Sequence, residues 1–203
     1  MAYTTQTKIE RYLGKSLTSG QSAEIANWIS AVTRYIEKYT GVMFEQEAAA
    51  TRYFDGNGLS EIFIDDFLSI TSIDILETDG SVLQSLTEGE DDDYITYPYN
   101  TTPKYKLILV TSASIGNFPK RSKCVKITGT WNYSTTVPAD IELVATMLVA
   151  QVLQLSGSGG LEVNSESLGD YSVSYGDVTD LDNMSAKIGA KNVLDRYVIY
   201  RLN

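Results

Sequence analysis

The stretch from Val137 to Leu155 constrains this chain more than any other. Pro138 suits the first position of a helix, where no backbone N–H is needed and a φ of about −65° is already set. Asp140 and Glu142 then put negative charge in the first turn, at the positive end of the helix dipole. The apolar residues that follow are Ile141, Val144, Ala145, Met147, Leu148, Val149, Ala150, Val152, Leu153 and Leu155. The polar ones keep to Glu142, Thr146 and Gln154, with Gln151 beside them. A surface helix needs an apolar stripe of only about 100°, and this one is apolar over most of its circumference. It is expected to be buried on several sides, with Ile141, Val144, Leu148 and Val152 as its core, inside its own domain or against other copies of the chain. The run is too short and too interrupted to cross a membrane, which takes about 20 apolar residues.

With 203 residues, the chain can form one large domain or two small ones. Its net charge of −10 disfavours a general nucleic-acid binder, because such binding rests on neutralising phosphates with Lys and Arg. The lack of histidine removes the commonest general base and the commonest metal ligand. A single cysteine, Cys124, leaves no disulfide framework and no multi-cysteine zinc site. The first residues show neither a basic n-region nor an apolar h-region, so synthesis in a cytosol is expected.

Residues 5–14 read as a short helix with Ile9, Tyr12 and Leu13 on one face and Gly14 as its C-cap. Ser22 is the expected N-cap of a second helix over 23–40, whose Ile25, Trp28, Ile29, Val32, Ile36 and Tyr39 keep to one face before Gly41. Beyond Phe44 the pattern turns to short extended runs. Arg52–Phe54 and Glu61–Asp65 flank Gly56-Asn57-Gly58 as a predicted hairpin. Residues 70–76 and 82–86 flank the Asp79-Gly80 turn, and 94–97, 106–110 and 125–131 follow, giving about seven candidate strands. Cys124 is read as part of the last of these. A final helix over 183–200, capped by Asp182 or Asn183, carries Met184, Ile188, Val193, Leu194, Tyr197 and Val198 on its apolar side. The fold class expected is α+β: a small helical bundle of three main helices and a short N-terminal one, from residues 1–44 and 134–203, with an inserted antiparallel β-sandwich or barrel-like domain at 45–133.

Charge is segregated inside the insertion. Residues 45–93 hold fourteen acidic residues and one basic one, Arg52, whereas 94–139 hold no acidic residue and six basic ones, Lys104, Lys106, Lys120, Arg121, Lys123 and Lys126. The densest acidic run, Glu88–Asp93, reads as a solvated loop, or as a calcium loop or an acidic surface facing a basic partner. It lacks the EF-hand spacing. After the central helix, Ser156–Gly160 is linker-like, and residues 161–176 form an alternating arm with Tyr171, Val173 and Tyr175 on one face. That arm needs a surface, either its own domain or a neighbouring subunit.

No catalytic constellation is assembled by these residues. Nothing selects a carboxylate pair, and neither phosphate-cradling glycine motif occurs. No cofactor and no metal is expected. The chain reads as a binding or assembly module.

The order of these parts resembles the head–tail connector (adaptor) proteins of tailed bacteriophages. The matching stretches are Ala31–Gly41, Tyr53-Phe-Asp-Gly56, Trp131–Ile141, Ser165–Tyr175 and Val193–Tyr197. The resemblance implies a virion protein of the neck, made in the bacterial host cytoplasm. It implies a ring of about twelve copies under the portal protein, with a tail or stopper protein below and phage DNA passing through the lumen without sequence-specific binding. The family has no catalytic residues to carry over. Leu168, Tyr171, Val173, Tyr175, Tyr197 and Arg201 are the expected subunit or portal interface, and the acidic excess is expected in part to line the lumen, where like charge keeps DNA sliding. The alternatives are a tail-completion or stopper protein of the same neck, or a calcium- or carbohydrate-binding β-module on a helical base.

Overall fold

The central helix is α3, Ala139–Gly157, in the computed structural model of the chain, which describes residues 2–157, 165–168, 171–174 and 181–198. Ile141, Val144, Ala145, Leu148, Val149, Ala150, Val152 and Leu153 are each at most 2% exposed. Four helices supply the surroundings that such a circumference demands: α1 (Gln6–Leu13), α2 (Ser19–Thr40), α4 (Leu181–Lys187) and α5 (Ala190–Leu194) all pack on α3. Thr146, buried on this helix, donates to the Glu142 carbonyl at 2.8 Å, so Thr4 is the donor in the 2.7 Å bond between the two threonine hydroxyls. Lys8 pairs with Glu142 on the more exposed side.

Two helix boundaries differ from the sequence reading. Helix α2 begins at Ser19, not after Ser22, because Thr18 and Gln21 close a capping box that spans the Ser19-Gly20 pair. That cap contributes about 0.5–2 kcal/mol, more than a glycine in the first turn removes. The expected helix over 183–200 is instead α4, α5 and a 3₁₀ turn at Asp195–Tyr197. Gly189 sits between α4 and α5 at φ +74°, a left-handed conformation that no continuous α-helix contains.

The chain divides into two units, Met1–Val42 with Val137–Asn203, and Met43–Thr136. The second holds β1 (Ala50–Phe54), β2 (Glu61–Leu76), β3 (Val82–Leu86), β4 (Tyr94–Tyr97), β5 (Lys104–Leu109) and β6 (Val125–Trp131). The class is α+β, and these strands make one antiparallel sheet in the order β1-β6-β2-β5-β4, with β3 also on β2. The two runs read separately at 61–65 and 70–76 are one strand of 16 residues. Asp65, Asp66 and Ser69 made the intervening stretch look like a turn, but Phe67 between them is buried, and register shifts carry β2 through. Its first half pairs with β5 and its second with β6 and β3, and Phe67 stands opposite both Lys104 and Trp131.

The predicted hairpin between 52–54 and 61–65 does not form. Strand β1 pairs with β6 instead, from Ala50 opposite Gly129 to Phe54 opposite Val125, and β6 lies between β1 and β2. The Gly56-Asn57-Gly58 segment is a loop tied elsewhere: Gly56 N donates to the Arg121 carbonyl at 2.9 Å, and Phe118 N to the Leu59 carbonyl at 2.9 Å. Gly129 permits β6 to approach β2, since a Cβ there would lie 2.4 Å from the Ser69 carbonyl oxygen. Cys124 precedes β6 by one residue, buried, its thiol directed at the Pro119 and Arg121 carbonyls. Around Trp131, whose Nε1 donates to the Ala50 carbonyl at 2.8 Å, gather Phe67, Ile73, Ile75, Leu107, Phe118, Val125 and Ile127. The two ends of the unit are stitched side by side: Tyr133 N donates to the Met43 carbonyl, Glu47 N to that of Trp131, and Asn132 Nδ2 to that of Glu45.

Leu148→Ala is expected to destabilise the protein by about 2–5 kcal/mol, the range for truncating a fully buried leucine, as read by urea denaturation. Gly129→Ala is expected to lower the melting temperature by separating β6 from β2, whereas Leu143→Ala, at an exposed position on α3, leaves it nearly unchanged.

Candidate assembly surfaces

Three of the residues expected at an interface, Leu168, Tyr171 and Val173, fall in a hairpin of β7 (Ser165–Leu168) and β8 (Tyr171–Ser174). The register sets Leu168 opposite Tyr171 and Glu166 opposite Val173. This sheet is two strands wide among the described residues, a width that is marginal in water without a further surface. Tyr175 and Arg201 lie outside the described residues. Tyr197 hydrogen-bonds both carboxylate oxygens of Asp140, at 3.0 and 2.9 Å, and so pins the 3₁₀ turn at Asp195–Tyr197 to the first turn of α3.

On the β unit, the segregation of charge along the sequence becomes pairing across strands. Lys126 stands opposite Asp74 in the ladder and bonds it at 3.2 Å. Lys106 reaches Glu61 at 2.9 Å, and Arg121 reaches Glu77 at 3.4 Å. Arg52 bridges Asp65, at 2.8 Å, and Glu47. Each pair is partly exposed and worth at most about 1 kcal/mol.

The acidic run is a fixed turn. Gly89 N donates to the Tyr94 carbonyl, Asp92 N to that of Gly89 and Asp93 N to that of Thr87. Asp93 accepts from Ser114 Oγ at 2.6 Å, Ser114 N at 2.7 Å and Thr87 N at 2.8 Å. Those bonds, the serine hydroxyl foremost, hold its carboxyl below the usual carboxylate range. Glu90 and Asp91 of the turn are exposed and enter no ion pair among the described residues. No group of three acidic, cysteine or histidine side chains is arranged to hold a metal ion among the described residues.

Two further surfaces were not singled out by the sequence. Phe63, Tyr97, Tyr99 and Tyr105 form an exposed aromatic cluster across β2, β5 and β4. The rings of Phe63 and Tyr105 are nearly parallel at 6.4 Å, and Lys106 Nζ lies 5.4 Å from Phe63 and 5.0 Å from Tyr97. Strand parity carried the signal: Phe63 sits between buried Ile62 and Ile64, and Tyr97 is out of phase with buried Tyr94 and Thr96. The second surface is a cleft of about 620 Å³ whose lining includes Tyr53, Leu76, Glu77, Arg121, Lys123 and Cys124. Arg121 lies within its wall, held by Thr78 Oγ1, Glu77 and the Leu76 carbonyl, while Lys123 of the lining is exposed, as is Lys120, whose stem lies over Gly58.

This architecture has solved counterparts. The chain is similar to one from the neck of an empty gene transfer agent particle computed with C6 symmetry, with a TM-score of 0.55 and 12% identity over 97% of this chain and 90% of that one. A chain from the virion of a native gene transfer agent particle aligns over 97% and 89% with 13% identity and a TM-score of 0.47. No protein-family model and no curated protein matches the sequence. The chain therefore has the fold of a neck component of a phage-like particle.

Asp93 also sets a pH dependence. A carboxyl whose pKa is depressed on folding contributes stability that is complete above its unfolded value, about 3.9, and is lost as pH falls through the folded value. The carboxyl titration of Asp93, followed by NMR, is expected to have its midpoint below that of a free aspartate, and Asp93→Asn is expected to flatten the loss of stability below about pH 4.

Proposed function

We propose that this protein is a head–tail connector: a structural ring of about twelve copies between the portal and the tail of a tailed-phage-like particle, through which DNA passes. The observation that carries the reading is the shared fold with a neck chain across 97% of the sequence. The helical unit suits a ring component, since α3 is covered by helices of its own chain, and the β7–β8 hairpin is the segment we assign to a neighbouring subunit or the portal. In this reading Leu168, Tyr171, Val173 and Tyr175 supply the contact, with Tyr197 and Arg201 at its margin, and a tail or stopper protein docks below. No step of chemistry is required of the chain.

Electron microscopy of the purified protein, alone and mixed with portal-bearing heads, tests this. Rings, free or seated on the portal, are expected; a protein that stays monomeric and fails to bind such heads overturns the reading. Replacing Tyr171, Val173 and Tyr175 by Ser is expected to leave helicity and melting temperature nearly unchanged while heads no longer join tails. Unfolding of that variant would assign the arm to the protein's own core.

A second reading is favoured by the exposed aromatic cluster on β2, β4 and β5. Rings of this kind beside the Lys106–Glu61 pair suit stacking on a pyranose face, with a charged pair to hydrogen-bond its hydroxyls. Binding of soluble polysaccharides that is lost in Phe63→Ala would support a carbohydrate-binding role for the β unit, and no binding to any of them rejects it.

A further inference from the structure

Two exposed groups of the β unit enter no ion pair among the described residues: Glu90 and Asp91 of the acidic turn, and Lys120 and Lys123 on either side of Arg121 in the chain. We propose that adjacent copies in the ring contact one another here, Glu90 and Asp91 of one copy seating between Lys120 and Lys123 at the cleft of the next. This rests on the ring reading above and names a contact that holds it together.

The acidic turn joins β3 to β4, whereas the cleft is lined by the β2–β3 turn from Leu76 to Gly80, by Tyr53 of β1 and by residues 121–124. Among the described residues no ion pair joins the two patches within one copy. A head-to-tail contact between two different patches is the kind that propagates from copy to copy and closes into a ring when the rotation allows.

Charge then selects the occupant. The cross-strand pairs engage Arg52, Lys106, Arg121 and Lys126 with carboxylates of the same unit. Among the described residues Lys104, Lys120 and Lys123 enter no ion pair, nor do Glu90 and Asp91, and of these lysines Lys104 is engaged by the Pro98 and Tyr99 carbonyls. Each copy carries a net charge of −10, so copies repel one another at long range. Packing them side by side calls for a local meeting of opposite charge, and the basic loop at 120–123 is where the β unit concentrates unpaired cations.

Shape and stiffness agree. The cleft has the volume of a small-ligand site, enough for the tip of a turn. Its walls, Tyr53 and Leu76, offer apolar surface to the stems of entering side chains. The turn is already ordered by the bonds of Asp93 and the backbone of Gly89 and Asp92, so little conformational entropy is lost when it docks.

Charge reversal and its rescue test the contact. Self-association of the full chain is measured by sedimentation velocity up to millimolar concentration, at low and high salt, with melting temperatures recorded to show that each variant folds. Wild type is expected to associate, more weakly at high salt. K120E/K123E and E90K/D91K are each expected to weaken association by about tenfold or more, and the chain carrying all four substitutions to recover to within about threefold of wild type, because the pairing is then inverted rather than lost. If wild type associates and neither reversal weakens it, or the combined variant shows no recovery, the ring stands and this contact is wrong. If wild type does not associate at any concentration, the contact is wrong, and the ring is judged on the portal-bearing heads alone.

Discussion

Helix α3 cannot be left half covered. With Ile141, Val144, Leu148, Val149 and Val152 pointing in several directions, any bare side would leave apolar surface in water at about 25 cal/mol per Å². That requirement explains why α1, α2, α4 and α5 converge on one element, and three of its polar residues are engaged as well. Thr146 has two hydroxyl contacts, Glu142 has Lys8, and Asp140 has Tyr197. The insertion interrupts the sequence of this bundle without interrupting its core.

In the β unit the corresponding constraint is β2. One strand serves two ladders, and the register shifts along it re-aim the backbone as it leaves β5 and joins β6. Phe67 marks the changeover, packed edge-on against Trp131 at 6.4 Å. Charged pairs at Asp74 with Lys126 and at Glu61 with Lys106 then fix each half in register from the solvent side. Hydrophobic contacts decide that the sheet forms, and the charges help decide which residues face one another.

Periodicity made the helices legible, because a helix is decided within a few residues of itself. Ile25, Ile29, Val32 and Ile36 announce α2 and are buried as spaced. Its first turn was misread for a local reason, since Ser19-Gly20 looks like a break unless Thr18 and Gln21 are recognised as a pair. The strands were legible as extended runs, but their partners were not. Nothing within residues 50–65 says that β6, over 60 residues later, will lie between β1 and β2. The same distance hid the surfaces: segregated charge was visible along the chain, yet its role in joining strands depends on a topology that sequence alone does not supply. The aromatic cluster was closer to view, since Phe63 and Tyr97 break the inward phase of their own strands.

The stitching of Met43 to Tyr133, of Glu45 to Asn132 and of Glu47 to Trp131 has a consequence for how such a protein is altered over time. The β unit enters and leaves the bundle through two adjacent lengths of chain, held together by its own hydrogen bonds. A cassette with that geometry can be exchanged for a shorter loop or a different module without shifting the helices that flank it, because the gap to be bridged stays the same. The helical base is thereby free to keep its packing while the attached module changes.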